Sequence, residues 1–356
     1  MSQSNSIQTA NSKLSKNKIY AVAGLFILCI VPLLLSQEQY YLDIVFQAFL
    51  FAALASSWNI IGGFGGQHSF GHAIFFGIGA YTTAILFMNY QISPWISIWI
   101  GMLISLFVAF IIALPTFRLR GAFFSIATLI INQLVLVLVL YYKEITNGSQ
   151  GILLPYEPSF KNMIFENRMA FVYIAFSFML ITIFVSYIVL KNKLGYQLQA
   201  VRENQDASRI LGVNPFWVKM NGLFISVALT SMGGSIYAMY IRFVDPYLIL
   251  SVAEIGAMFV LITMIGGMGT LSGPIIGAIL MMPIDILLRG SLGGVRPGLN
   301  IVVFSLLLII VALFFKEGIV GTVKNKLEQR KTKLLGEYSV ETDKTRNEVN
   351  PNAESS

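Results

Sequence analysis

Few side chains in this sequence could bind or move a polar solute, and they are thinly spread. His68 and His72 stand four residues apart, a spacing that puts both on one helical face and suits a metal ion. No cysteine joins them and no carboxylate lies near them in sequence, so packing or pore-lining histidines are the competing reading, and no metal is assigned. Three acids, Asp43, Glu254 and Asp285, fall in or near apolar stretches, where an ionisable group marks a functional candidate by default. Asp43 and Glu254 sit close to the ends of theirs. Asp285 precedes Arg289 by four residues, the spacing of a local ion pair. A proton-driven carrier needs a deep acid, and none of these is clearly deep. Ser125, Thr128 and Asn132, with Gln133 beside them, recur at the helical i, i+3, i+7 spacing. Such a face should turn inward, where it either lines a translocation path or hydrogen-bonds between helices. No convergent catalytic set emerges, and the phosphate-cradling pattern G-x-x-x-x-G-K-S/T is missing from the sequence, so the chain reads as a non-enzyme with no nucleotide site or bound cofactor.

The elements that hold these residues are apolar. Hydrophobic residues make up 56% of the chain and charged ones 12%, about half the ~25% of a soluble protein. Apolar spans fall at Ile19–Leu35, Leu42–Ile61, Ser69–Met88, Trp95–Pro115, Ala122–Tyr142, Met169–Leu190, Gly222–Tyr240, Leu250–Ile265, Gly273–Leu288 and Leu299–Phe315. Several approach or exceed the ~18 residues of a membrane-spanning helix. The expectation is an all-α polytopic membrane protein of about ten transmembrane helices. The third and ninth spans follow Gly-Gly turns, so either could be broken or re-entrant.

The net charge is +7, but placement says more than the total. With the N-terminus inside, the internal segments collect Lys13, Lys16, Lys18, Arg118, Arg120, Lys191, Lys193, Arg202, Arg209, Lys219 and the tail. Lys143, Lys161, Arg168, Arg242, Arg289 and Arg296 fall outside. This bias places both termini in the cytoplasm of a cell-membrane protein. Basic residues divided among loops and tails do not form a nucleic-acid surface. Residues 1–17 are read as a disordered leader, 18–320 as the transmembrane domain, and 321–356 as a polar, disordered tail. The first apolar run follows a long polar leader and lacks a small-residue cleavage site, so it reads as a retained signal anchor. Cys29 is the single cysteine and reads as apolar filler. The outer loop Lys143–Arg168 carries the turn-forming TNGSQGI and is either a solvated connector or a contact for an external partner.

Two stretches are rich in glycine. Gly62–Tyr81 reads GGFGGQHSFGHAIFFGIGAY, and Gly266–Ala278, GGMGTLSGPIIGA, echoes its turn-then-helix pattern. Glycines let membrane helices approach closely and let backbone unwind beside a cavity. Gly71, His72, Gly77, Ser125, Thr128, Asn132, Glu254, Gly266 and Gly267 are the candidates for a translocation path. Between apolar spans lies one long polar segment, Lys191–Met220. Leu194–Leu211 reads as one amphipathic helix, with Arg202–Asp206 and Asp206–Arg209 spaced as ion pairs. Gly212 stops it, and Asn214-Pro215 caps and opens a second helix bearing Phe216 and Trp217.

These stretches together resemble the permease subunits of ABC importers for branched-chain amino acids, the LivM-type family. Gly71–Tyr81, GHAIFFGIGAY, is similar to that family's GHAAFFGIGAY. Arg118–Thr128 matches R-L-R-G-x-F/Y-F-x-I/V-x-T, Asn147–Gly151 its GGS-x-G loop with Asn147 in place of the first Gly, Gly195–Asn204 with Ala207–Asn214 its cytoplasmic motif, and Glu254 with Gly266–Pro274 its late pattern. The chain departs at His68, where the family more often has an apolar residue, and at Lys316–Ile319, which lacks the family's proline. The resemblance implies that 191–220 is a coupling loop docking on a cytoplasmic ATPase, with Arg202, Glu203, Asp206, Ala207, Leu211 and Gly212 as coupling residues. It further implies a second related permease, two ATP-binding subunits that use the ATP, an extracytoplasmic solute-binding protein, and a branched-chain amino acid as substrate. Urea, short amides and aromatic acids are moved by close relatives.

Overall fold

A computed structural model describes residues 29–30, 32–33, 38–292, 299–314 and 318–322. The expected leader, most of the first apolar span, Lys316 and nearly all of the tail lie outside these residues. Lipid offers the backbone no hydrogen-bond partners, so apolar runs must satisfy their peptide groups internally, as helices. The second and later spans do so: α1 (Gln39–Asn59), α2 (His72–Tyr90), α3 (Pro94–Thr116), α4 (Ala122–Tyr141) and α5 (Met169–Lys191). The polar segment forms α6 (Lys193–Glu203) and α7 (Gln205–Ile210), and α8 (Pro215–Ile241), α9 (Ala257–Gly267), α10 (Gly273–Leu292) and α11 (Leu299–Phe314) follow. Among the described residues, seven helices are long and apolar enough to cross a membrane: α1 to α5, α8 and α10. α9 and α11 are shorter.

The third and ninth spans are continuous helices, contrary to the expectation that they might break. The irregular backbone lies just before or beside them. A π-helical turn, Ile60–Phe64, extends α1 into an open loop that reaches α2, and a second, Val252–Gly256, leads into α9. Gly62 and Gly63 in the first of these turns carry no side chain to fix a regular helix, whereas the apolar residues of α2 beyond it do.

α1 is the core of the bundle: sixteen of its residues are buried. It packs on α5 through aromatic rings, Phe49 with Phe176 at 5.2 Å and Phe46 with Phe171 at 6.4 Å. α2 and α8 cross with their backbones almost touching. A Cβ at Gly79 would strike the Ser231 carbonyl, and one at Gly234 the Phe76 carbonyl, so this crossing tolerates only glycine. α3 and α4 lie at the periphery and expose Trp99, Phe107, Ile130 and Leu134, surface of the kind that lipid or another subunit covers.

At the end of the bundle away from the polar segment, the 143–168 loop folds back. β1 (Ile152–Leu153) pairs antiparallel with β2 (Phe243–Val244), beyond α8. Asp43 accepts both bonds of a two-pronged pair from Arg168 Nη1, at 2.6 and 2.8 Å, and also a bond from the Tyr240 hydroxyl. Asp43, near the end of its apolar stretch, therefore clamps α1, α5 and α8 together. The hydrogen bond to Asp43 holds the Arg168 guanidinium above its usual value.

Candidate functional site

The polar segment is not one helix up to Leu211. Asn204 takes the backbone out of the helix, and its Oδ1 accepts from Asp206 N and Ala207 N, both at 3.0 Å.

 With φ −154° and ψ 108°, Asn204 ends α6 and caps α7. This break corrects one expected pairing: Arg202 and Asp206 do not form an i, i+4 ion pair, because they sit on different helices. Asp206 instead takes two parallel bonds from Arg120, 2.9 Å each, and a longer contact from Arg209 at 3.7 Å. The hydrogen bond to Arg120 holds the Asp206 carboxyl below its usual range and raises the Arg120 guanidinium in return. Gly212 stops the segment at φ +81°, and Asn214 Oδ1 accepts from Phe216 N at 3.1 Å to cap α8. Glu203, Ala207 and Gly212 are exposed, and the tip presents Ile210 and Leu211 at 87% and 82% exposure. These apolar side chains project away from the bundle rather than packing on it.

Arg202 points the other way, into the bundle. Its Nη1 donates to the Gly63 carbonyl at 2.8 Å. That carbonyl is free because the π-helical turn has taken it out of the regular ladder. Gly66, at φ +66°, leaves room for the Arg202 stem, and a Cβ at Gly269 would crowd the guanidinium. Asn59 joins the same place from α1: its Nδ2 donates to the Thr270 carbonyl at 2.8 Å and its Oδ1 accepts from Gly269 N at 2.9 Å. The two glycine-rich stretches therefore meet, with Asn59 bridging them and Arg202 wedged against both. His68 lies in this loop, tilted beside Trp58 with ring centroids 6.3 Å apart. Burial, and then the Arg202 charge, push its imidazole below the usual value.

The remaining path candidates are tied into packing. His68 and His72 do not share a helical face, because α2 begins only at His72. His72 is fully buried, with Nε2 2.9 Å from Ser226 Oγ. The α4 polar face turns inward, as expected, and bonds to unwound backbone. Ser125 Oγ donates to the His68 carbonyl at 2.7 Å, Thr128 Oγ1 accepts from Phe70 N at 3.2 Å, and Asn132 Nδ2 donates to the Leu250 carbonyl at 2.7 Å. This is the interhelical hydrogen-bonding alternative; Gln133, next along, is exposed. A Cβ at Gly71 would meet the Thr128 carbonyl, one at Gly77 the Leu250 side chain, and one at Gly266 the Gly273 carbonyl; one at Gly267 would press on Val320. Asp285 pairs with Arg289 at 2.9 Å, as its spacing suggests, but Glu254 reaches the same guanidinium at 2.7 Å.

Asn59, Arg120 and Arg289 carry much of this geometry and were not singled out as site residues. Asn59 is a lone buried amide just before the first Gly-Gly turn, which was its only signal. Arg120 lies in the R-L-R-G motif and stood out in the sequence only as one of the inside charges.

Residues 40–313 match the family described as the branched-chain amino acid transport system permease component. The chain is 26% identical, over 348 residues, to the high-affinity branched-chain amino acid transport system permease protein LivM of Salmonella typhimurium, covering 91% of this chain and 80% of that protein. It is 29% identical over 291 residues to the Escherichia coli LivM protein, covering 75% and 67%. A shorter likeness, 33% over 87 residues, links 24% of the chain to 29% of a tyrosine transport system permease protein of Clostridioides difficile. No solved structure is a significant match. A polytopic helical bundle matched to that family along most of its length thus belongs to the branched-chain amino acid transport system permeases.

Proposed function

We propose that this chain is the permease subunit of an ATP-driven importer, that it forms half of the pore, and that its substrate is a branched-chain amino acid. The observation that carries the coupling role is the Arg202 junction. The exposed tip formed by Ile210 and Leu211 offers an apolar knob to a cytoplasmic ATPase, while Arg202, one short helix away, holds both glycine-rich elbows. Movement of the knob is thereby delivered to the places where the backbone is already unwound. A second related permease completes the pore, two ATP-binding subunits supply the work, and an extracytoplasmic binding protein delivers the solute. Both termini face the cytoplasm. The substrate is that named for the Salmonella and Escherichia coli LivM relatives.

An ion-coupled carrier is the competing class. Against it, Asp43 is engaged by Arg168, and Glu254 and Asp285 share Arg289, so each of these three acids already has a counter-ion. The test is uptake of labelled leucine by proteoliposomes holding the permease pair, both ATP-binding subunits and the binding protein. Uptake should require ATP and survive collapse of the proton and sodium gradients. Uptake that persists without the ATP-binding subunits and stops with the gradient would reverse the assignment.

A further inference from the structure

The exposed tip at Ile210 and Leu211 has no apolar seat. Of the six residues of α7 only Ser208 is buried, and its two apolar residues, Ala207 and Ile210, are both exposed. An apolar face, the usual means of fixing a surface helix, therefore does not place it. Beyond its own cap, two side-chain links join α7 to the rest of the bundle among the described residues. One is Asp206 with Arg120, where both side chains are more than half exposed, and an exposed pair contributes little. The other points inward: Lys219 Nζ donates to Gln205 Oε1 at 2.8 Å. Gln205 is the first residue of α7, and Lys219 stands early in α8. Lys219 is a costly choice for this place. It is 1% exposed, its acceptor is a neutral amide, and among the described residues no carboxylate pairs with it. Arg120 and Arg209, whose charges bear on it, are cations like itself. A buried charge without a counter-ion costs stability, and an apolar side chain of similar volume would fill the same space at less cost. The packing around α8 does not call for an ammonium; the start of α7 does.

We infer that Lys219 is a positioning residue: through Gln205 it seats α7 and holds the Ile210–Leu211 tip in the orientation that a partner meets. The inference rests on the reading of 191–220 as the coupling segment. A tip held in advance loses less conformational freedom when it docks. A loose tip is competent for only part of the time, and its apparent affinity falls by that fraction. The same bond ties the start of α7 to α8 directly, so a displaced tip pulls on α8 through Lys219 as well as through the connection at Gly212–Asn214.

The seat is read directly by pulsed electron spin resonance on the full chain in mild detergent. Cys29→Ser removes the single cysteine, and nitroxides are placed at Tyr196→Cys on α6 and Ile210→Cys at the tip, both exposed positions. The parent should give one narrow distance distribution. Lys219→Met and Gln205→Leu should each broaden it about twofold, and the double variant no further, because the two side chains act through one bond. Gln205→Glu, which keeps an oxygen for the ammonium, should retain the narrow distribution. Equal widths in the parent and both single variants would overturn the inference, and so would additive broadening in the double variant. The functional reading uses the permease pair in nanodiscs with the binding protein, titrated with the ATP-binding subunits. In Lys219→Met the concentration giving half-maximal ATP hydrolysis should rise about fivefold, the maximum should change much less, and the thermal midpoint of the chain should not fall. A lowered thermal midpoint with unchanged half-saturation would make Lys219 a packing residue and overturn the inference. If the parent engages no ATP-binding subunit, the coupling reading fails, and the label distances still decide the seat.

Discussion

Replacing Arg202 with alanine should disconnect the exposed knob from the elbows while leaving the bundle folded. The side chain gives one hydrogen bond from a charged donor to the Gly63 carbonyl and packs its stem on Gly66. A hydrogen bond to a charged group contributes ~1.5–3 kcal/mol. Arg202 is exposed overall and only its inner end is part-buried, which argues for the lower end of that range. A loss of ~1.5 kcal/mol is about tenfold in an equilibrium, so leucine uptake should fall by about that factor. The knob residues themselves are untouched, so the assembled complex should keep hydrolysing ATP. The assay measures both rates in the same proteoliposomes, with a thermal-shift control on the purified chain. Arg202→Lys keeps the charge and part of the stem and should fall between the two. Parallel loss of uptake and ATP hydrolysis in a well-folded complex would place Arg202 in ATPase docking instead. Unchanged uptake would refute the reasoning altogether.

Three further outcomes follow from the same geometry. Asp206→Arg should lower uptake, and the exchange Arg120→Asp/Asp206→Arg should restore much of it, because each partner is the other's main contact; thermal stability should barely move at this exposed pair. Arg289→Ala leaves Glu254 and Asp285 without a counter-ion, and since Asp285 is largely buried the chain should lose about 1–3 kcal/mol, measured by denaturation in detergent and recovered in part by adding Glu254→Gln/Asp285→Asn. His68 has a lowered folded-state pKa, so the unfolded chain binds its proton first as pH falls; stability should decline from about pH 6.5 downward toward the folded value, and His68→Gln should flatten that part of the profile.

The helices were legible because lipid leaves an apolar run no other regular structure, and the expected spans from Leu42 onward correspond to helices. The Asn204 break was harder to see. Arg202, Asp206 and Arg209 keep a helical spacing of charges across it, and only the sequence Asn-Gln-Asp-Ala, a capping residue with an acid in the first turn, signals a new start. The partner of Arg202 was hidden for a different reason. It is a backbone carbonyl, exposed only because the chain unwinds at Ile60–Phe64, and no side-chain pattern records that. Asp285–Arg289 could be read from spacing; Glu254, thirty-five residues away, could not. The α4 face was correctly turned inward, yet its residue types do not distinguish a wall from hydrogen-bonding glue.

α8 has a mechanical property that follows from its length. It runs without interruption from Pro215, next to the knob, to Ile241, just past the Tyr240 clamp on Asp43. Twenty-seven residues at ~1.5 Å each span about 40 Å, and its one proline stands at the first position, where it introduces no hinge. Such a helix, held against α2 where Gly234 meets the Phe76 carbonyl, has the form of a lever. A tilt imposed at Asn214 must reappear with opposite sense at Tyr240, pivoting about the tight glycine crossing with α2. Under the proposed coupling, opening one face and sealing the other would then be a single stroke of one seesaw.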